Sequence, residues 1–276
     1  RVHPDHIGVV QAWKAGKFSL GGAVVDFHGK PVYAPSRFVV PGASPGLDFY
    51  LLVVLSCAIA TSGLITNSAA VIIGAMLVAP LMSPIIALGL ASVIGDYRLL
   101  RTATYTLMGG AALAILLSFL MTLLNRYLPF ISLHEIPAEV LARTRPTPID
   151  LIIALAGGLA AAYAMTRKNL SAALPGVAIA TALMPPLCAI GVGLALSRWD
   201  VAGGAALLFI TNAITIAFSA AFIFFVRGFS AGRIKMDEKV PRPLILSAVL
   251  VIILLVPLTY YSYRFFRDAS NNRLIN

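Results

Sequence analysis

Charge is what this sequence has least of. Of its 276 residues only 12% are Asp, Glu, Lys or Arg, about half the usual share of a soluble domain. No Asp, Glu, Lys, Arg or His falls inside long stretches such as 103–124 or 201–226. Proton-coupled carriers rely on such a group within the membrane, so proton antiport is disfavoured. Cysteine is nearly absent. Cys57 and Cys188 both lie in apolar segments and read as small buried residues in preference to a disulfide or redox pair. No Cys/His spacing suits a metal, so no metal and no cofactor are expected. His3, His6, His28 and His134 lie outside the apolar segments, with no nucleophile or metal partner in view. Walker and dinucleotide fingerprints are missing, as is the two-residue alternation of a membrane barrel. The chain is therefore not read as an enzyme. A membrane enzyme acting on lipid is the weakest reading, because no acid–base cluster can be assembled at one interface.

What the sequence has instead is apolar length. The apolar fraction is 59% and the mean hydropathy is +0.90. Runs of about 18 or more apolar residues read as spanning helices, which satisfy their own backbone polar groups in hydrocarbon. Seven segments emerge, at about 49–65, 68–94, 103–124, 151–166, 170–196, 201–226 and 244–261. The expected fold is an all-α membrane protein of about seven transmembrane helices. Its expected parts are a polar N-terminal segment (1–48), a first membrane repeat (49–124), a polar loop (125–149) and a second membrane repeat (150–226). A basic loop (227–242), a final helix (243–263) and a polar tail (264–276) complete it. Residues 1–48 show no apolar core of a secretory leader. Within them, 23–33 reads as two short strands around His28-Gly29-Lys30, followed by a linker with Pro35, Pro41 and Pro45.

The net charge of +10 does not point to nucleic acid, because the basic residues sit at segment ends, where they meet lipid headgroups. With all segments crossing and a cytoplasmic N-terminus, 14 Lys/Arg fall inside and 7 outside. The positive-inside rule favours that orientation.

The segments run short, long-broken, long, and then repeat that order. A shift of 102 residues superposes Asn67 on Asn169, Ala70 on Ala172, Gly74 on Gly176, Leu81-Met82 on Leu183-Met184, Pro84 on Pro186, Ala87 on Ala189 and Gly89 on Gly191. These eight identities over 67–91 exceed the roughly two or three that chance would give. Each unit holds three segments, so the two repeats are inverted if the broken segments cross, and parallel if those segments are re-entrant. The inverted version is preferred, with the seventh helix outside the repeat.

The run from Asn67 to Pro84 (NSAAVIIGAMLVAPLMSP), and Ala182-Leu183-Met184-Pro185-Pro186-Leu187 with Gly191 and Gly193, resemble the signature of a bacterial and archaeal multipass family known as domain of unknown function 389. The resemblance covers about 51–226. It implies a prokaryotic membrane location, here the cytoplasmic (inner) membrane, and no substrate.

Candidate binding residues follow from the breaks. Pro80, Pro84, Pro185 and Pro186 interrupt their segments, and a proline frees backbone carbonyls by lacking an N–H. In inverted-repeat transporters such interruptions hold the substrate or ion. Half-helices beginning near Ser83-Pro84 and Pro185-Pro186 would aim free N–H groups at an anion, and packing kinks are the alternative. Thr211 and Asn212, deep in the sixth segment, are either interhelical hydrogen bonders or site residues. Ser83 and Thr181 are weaker candidates. Asn67 and Asn169 read as helix N-caps. The leading expectation is a transporter or channel for a small solute or ion, acting where the Pro84 and Pro186 breaks meet. The alternative is a non-transporting accessory subunit of a larger respiratory or photosynthetic complex. Expected partners are the lipid bilayer and either further copies of the chain or such a complex.

Overall fold

The computed structural model describes residues 18–20, 23–25, 31–33, 46–127, 136–144, 146–166, 183–227 and 249. Strands β1 (Phe18–Leu20), β2 (Ala23–Val25) and β3 (Pro31–Tyr33) form an antiparallel sheet in that order. The sheet has one strand more than the two expected from the sequence.

The rest is helical: α1 (Leu47–Ile65), α2 (Ala69–Val78), α3 (Met82–Ile94), α4 (Tyr97–Tyr127), the single turn α5 (Ala138–Leu141), α6 (Pro148–Met165), α7 (Met184–Ala195) and α8 (Trp199–Val226). Among the described residues, four helices are long and apolar enough to cross a membrane, or five if α2 and α3 form one bent span. This is the architecture of a multipass membrane protein. Of the segment expected at 170–196, residues 170–182 lie outside the described residues, as does the one expected at 244–261 apart from residue 249.

Local chemistry sets the helix ends. α2 stops at Val78 because Pro80 follows. A residue before proline is pushed out of the helical region, and Ala79 sits at φ −67°, ψ 120°. α3 then starts at an angle of 54° to α2. Pro84 falls in the first turn of α3, and Pro185 and Pro186 in that of α7, where a missing N–H breaks no helical bond. α6 opens with Pro148 and a reciprocal cap. The Thr147 hydroxyl accepts from the Asp150 N–H, and the Asp150 carboxylate accepts from the Thr147 N–H at 2.8 Å. α3 closes on Gly95 in the left-handed region, with its N–H donating to the Ala91 carbonyl. Asp96 then caps α4, accepting from the N–H groups of Arg98 and Leu99 at 2.9 and 3.1 Å.

Asn67 is not the N-cap that its place in the sequence suggests. Ser68 holds the cap position of α2, while Asn67 adopts a left-handed φ of 54°. Its side-chain oxygen accepts from the Glu139 N–H at 3.0 Å, tying the α1–α2 turn to the 136–144 segment. Asn169 lies outside the described residues. α4 is also longer than its apolar run. Its 31 residues make roughly 46 Å at 1.5 Å per residue, against a hydrocarbon core of about 30 Å. Hydropathy detects only the lipid-matched part, and so omits the turns carrying Arg98, Arg101 and Arg126.

The interior holds α3 and α7. α3 packs on α4 and α8, while α7 packs on α1, α2, α4 and α8, and α6 lies against α8. The outer faces of the long helices are apolar and bare. Leu51 on α1, Met108 on α4 and Ile152 on α6 are each more than 60% exposed. Such a surface suits hydrocarbon. Tyr97, Tyr127 and Trp199 stand exposed at helix ends, as interfacial aromatics do. Arg101 lies over the Tyr105 ring at 5.4 Å and Arg227 over Tyr163 at 5.8 Å.

Candidate functional site

Two glycine contacts lock the interior. A Cβ placed on Gly89 of α3 would lie 2.6 Å from the Ala217 carbonyl oxygen, 2.8 Å from the Ala220 Cβ and 2.9 Å from the Ala221 nitrogen, all on α8. A Cβ on Gly191 of α7 would lie 2.6 Å from the Ile115 carbonyl oxygen, 2.7 Å from the Ser118 Cβ and 2.8 Å from the Phe119 nitrogen, all on α4. Gly191 stands 102 positions after Gly89, and each of its three neighbours stands 102 positions before the matching neighbour of Gly89. The same offset separates the starts of α3 and α7, the starts of α4 and α8, and the two left-handed turn residues Gly95 (φ 68°) and Ser197 (φ 56°).

The sequence-derived site residues fall into two groups. Pro80 and Ser83 are half-buried and Pro84 is buried, all at the α2–α3 bend. Pro185 and Pro186 are buried in the first turn of α7, and Thr211 and Asn212 are buried on α8. Thr181 lies outside the described residues. α4 and α8 each pack on both α3 and α7. α3 and α7 are not themselves among the main packing pairs.

Register places Thr211. α7 and α8 are joined by the turn 196–198 and pack on each other, so they run antiparallel. A Cβ on Gly193 would meet the Ala202 nitrogen at 2.8 Å. Met184 lies as many residues before Gly193 as Thr211 lies beyond Ala202. With the common helical rise of about 1.5 Å, Thr211 and Asn212 come level with the start of α7. Apart from Asn212, what stands there is hydroxyl chemistry. The Thr211 hydroxyl donates to Leu207 O at 2.8 Å, Thr215 to Thr211 O at 2.8 Å and Ser219 to Thr215 O at 2.7 Å. Each hydroxyl turns its hydrogen back to its own helix, and Ser219, two turns beyond Thr211, lies against Gly158 of α6 and not at the start of α7.

The other half differs at the matching place. Gly109 and Gly110 of α4 stand where α8 has Thr211 and Asn212. A Cβ on Gly110 would lie 2.9 Å from the Phe49 ring and 3.2 Å from Leu81, and one on Gly109 would lie 2.9 Å from the Tyr50 hydroxyl. Phe49 and Tyr50 meet edge to face at 5.3 Å. The start of α3 is thus walled by aromatic rings, while the start of α7 is level with a polar stripe.

Sequence reasoning missed one arrangement. Cys57 and Cys188 are both buried, as expected, but their sulfurs touch at 3.6 Å. Nothing in their spacing signals this, because the contact depends on how α1 and α7 pack.

Comparison with known proteins gives the lineage. A protein of Methanocaldococcus jannaschii described as uncharacterised is 32% identical over 206 residues, covering 75% of this chain and 62% of its own length. The match thus spans less than two thirds of that relative. No solved structure matches the chain. The family model described as domain of unknown function 389 matches residues 76–218, a span that includes the α2–α3 bend, Gly89, Gly191, Thr211 and Asn212. The chain belongs to this family.

Proposed function

We propose that the protein is a transporter or channel for a small anion, or for a solute with a negative end, built from two inverted three-helix repeats. The reciprocal Gly89 and Gly191 contacts carry this reading. They pair each half's short helix with the other half's long helix, as a two-fold related pair of repeats requires. The Asn67–Glu139 hydrogen bond supports inversion over a parallel arrangement. If α2–α3 were re-entrant, the α1–α2 turn and the segment joining α4 to α6 would emerge on opposite faces. With α2–α3 crossing, they share one.

The solute position is at the start of α7, beside Pro185, Pro186, Thr211 and Asn212. Pro185 and Pro186 have no N–H to donate, so negative charge is favoured here by the positive end of the α7 dipole, and Thr211 and Asn212 supply polar atoms. The aromatic wall at the start of α3 makes the first repeat the structural partner. The basic excess on the N-terminal side supports a cytoplasmic membrane location with the N-terminus in the cytoplasm.

Flux into vesicles tests this. Purified protein reconstituted with a panel of small anions should move at least one. Thr211→Val and Asn212→Leu should slow it about tenfold or more, as expected for losing roughly 1–3 kcal/mol of polar interaction in a dry site. Absence of flux for every member of a broad ion and solute panel would refute the proposal.

A further inference from the structure

Cys57 and Cys188 are the two cysteines of the chain. One stands mid-way along α1 in the first half and the other on α7 in the second. They are 131 residues apart, yet their sulfurs are 3.6 Å from one another and both side chains have 0% exposure. The Cys57 thiol donates to the Ala114 carbonyl of α4 at 3.1 Å and lies 3.7 Å from the Thr61 hydroxyl. The Ser118 hydroxyl donates to the Cys188 carbonyl at 2.8 Å. No charged residue stands within two turns of this level on α1, α4 or α7.

That setting selects the chemistry. A monovalent soft ion held by two thiolates would leave a net negative charge in an apolar interior, where an unpaired charge is costly, and a divalent ion would lack further ligands, since no third His, Cys, Asp or Glu joins the pair among the described residues. A disulfide is neutral and carries no such cost. Bonded sulfurs stand about 2.05 Å apart, so closure needs roughly 1.5 Å of approach from van der Waals contact. Closure also requires the Cys57 thiol to release the Ala114 carbonyl.

We propose that Cys57 and Cys188 form a redox-active dithiol that closes to an intrachain disulfide, stapling α1 of one half to α7 of the other. Two S–H bonds break and one S–S bond forms. The two electrons and two protons pass to a lipid-soluble quinone, which leaves as the hydroquinone. A quinone is the fitting oxidant class because the pair is walled by apolar helices, where ionic oxidants do not partition. The staple crosses the seam between the halves, so its closure restricts their relative movement whatever solute the protein carries.

The full chain in phosphatidylcholine vesicles would be incubated with a water-insoluble, fully ring-substituted benzoquinone, which cannot add thiols to its ring, and denatured in N-ethylmaleimide without reductant. Its mass and peptides would then be read. The expected chain is lighter by two hydrogens and unlabelled at both cysteines. It yields one peptide pair joining Cys57 to Cys188, which reductant separates. Its thermal midpoint should rise and fall back on reduction, since a cross-link constrains the unfolded chain. Cys57→Ala treated alike should label fully at Cys188, and Cys188→Ala at Cys57. Full labelling of both cysteines in the quinone-treated natural chain, or disulfides only between separate chains, would overturn the proposal. Because the first readout uses the unaltered chain, a variant that fails to fold does not blunt it.

Discussion

Gly89 and Gly191 show how much a single hydrogen atom decides at the residue scale. Each brings a helix against the backbone of another, so an added methyl group meets main-chain atoms that cannot rotate away. Gly89→Ala and Gly191→Ala should each destabilise the protein by about 1–3 kcal/mol, the usual range for overpacking. On α2, a methyl group added to Gly74 would meet nothing within 4 Å, and Gly74→Ala should stabilise by about 0.5–1 kcal/mol through helix propensity. Denaturation in detergent would measure all three, and equal effects would remove the close-approach account. The two locking glycines were legible as a coincidence at one offset, though not as contacts. The thiol pair was not legible, because two cysteines in apolar segments look alike whether they touch or not. Thr211 and Asn212 were legible because polar groups are rare in such segments, while the aromatic wall opposite them required coordinates.

Turn chemistry governs the elements. The left-handed residue between α3 and α4 is a glycine, but its counterpart between α7 and α8 is Ser197 at φ 56°. A side chain in that region costs about 1–2 kcal/mol. Ser197→Gly should therefore raise stability by about 1 kcal/mol, readable as an upward shift of the unfolding midpoint. No change would mean that local hydrogen bonds already offset the strain. The starts of α3 and α7 were well marked in the sequence, because proline leaves few choices. Pro80 ends α2 and Pro84, Pro148, Pro185 and Pro186 sit in first turns. The ends were less well marked. Asn67 sits where an N-cap is common, yet it serves the preceding turn, since a side chain that tolerates left-handed backbone fits both roles. The charged turns of α4 escaped because hydropathy measures the match to lipid and not the persistence of backbone hydrogen bonds.

For the whole molecule, the decisive quantity is which turns share a face. Single cysteines placed at Ser68, Thr144 and Arg227 in a background lacking Cys57 and Cys188 would be labelled with a membrane-impermeant maleimide. Ser68 and Thr144 should react from one side and Arg227 from the other. Labelling of Ser68 and Thr144 from opposite sides would exclude a crossing α2–α3 pair. The Asn67–Glu139 bond has already drawn the first two together, and Gly204 of α8 lies against the Thr144 backbone at that same end. That the chain is a succession of apolar helices, four or five of them of spanning length among the described residues, was open to sequence reading because apolar length is counted directly. The way the halves embrace was not, since it depends on contacts between residues more than a hundred positions apart.

That embrace dictates the timetable of synthesis. The wall that receives Gly89 is made of Ala217, Ala220 and Ala221, which leave the ribosome long after α3 has been threaded into the bilayer. α3 can pack on α4 as soon as that helix is made, but its other flank stays uncovered until α8 arrives.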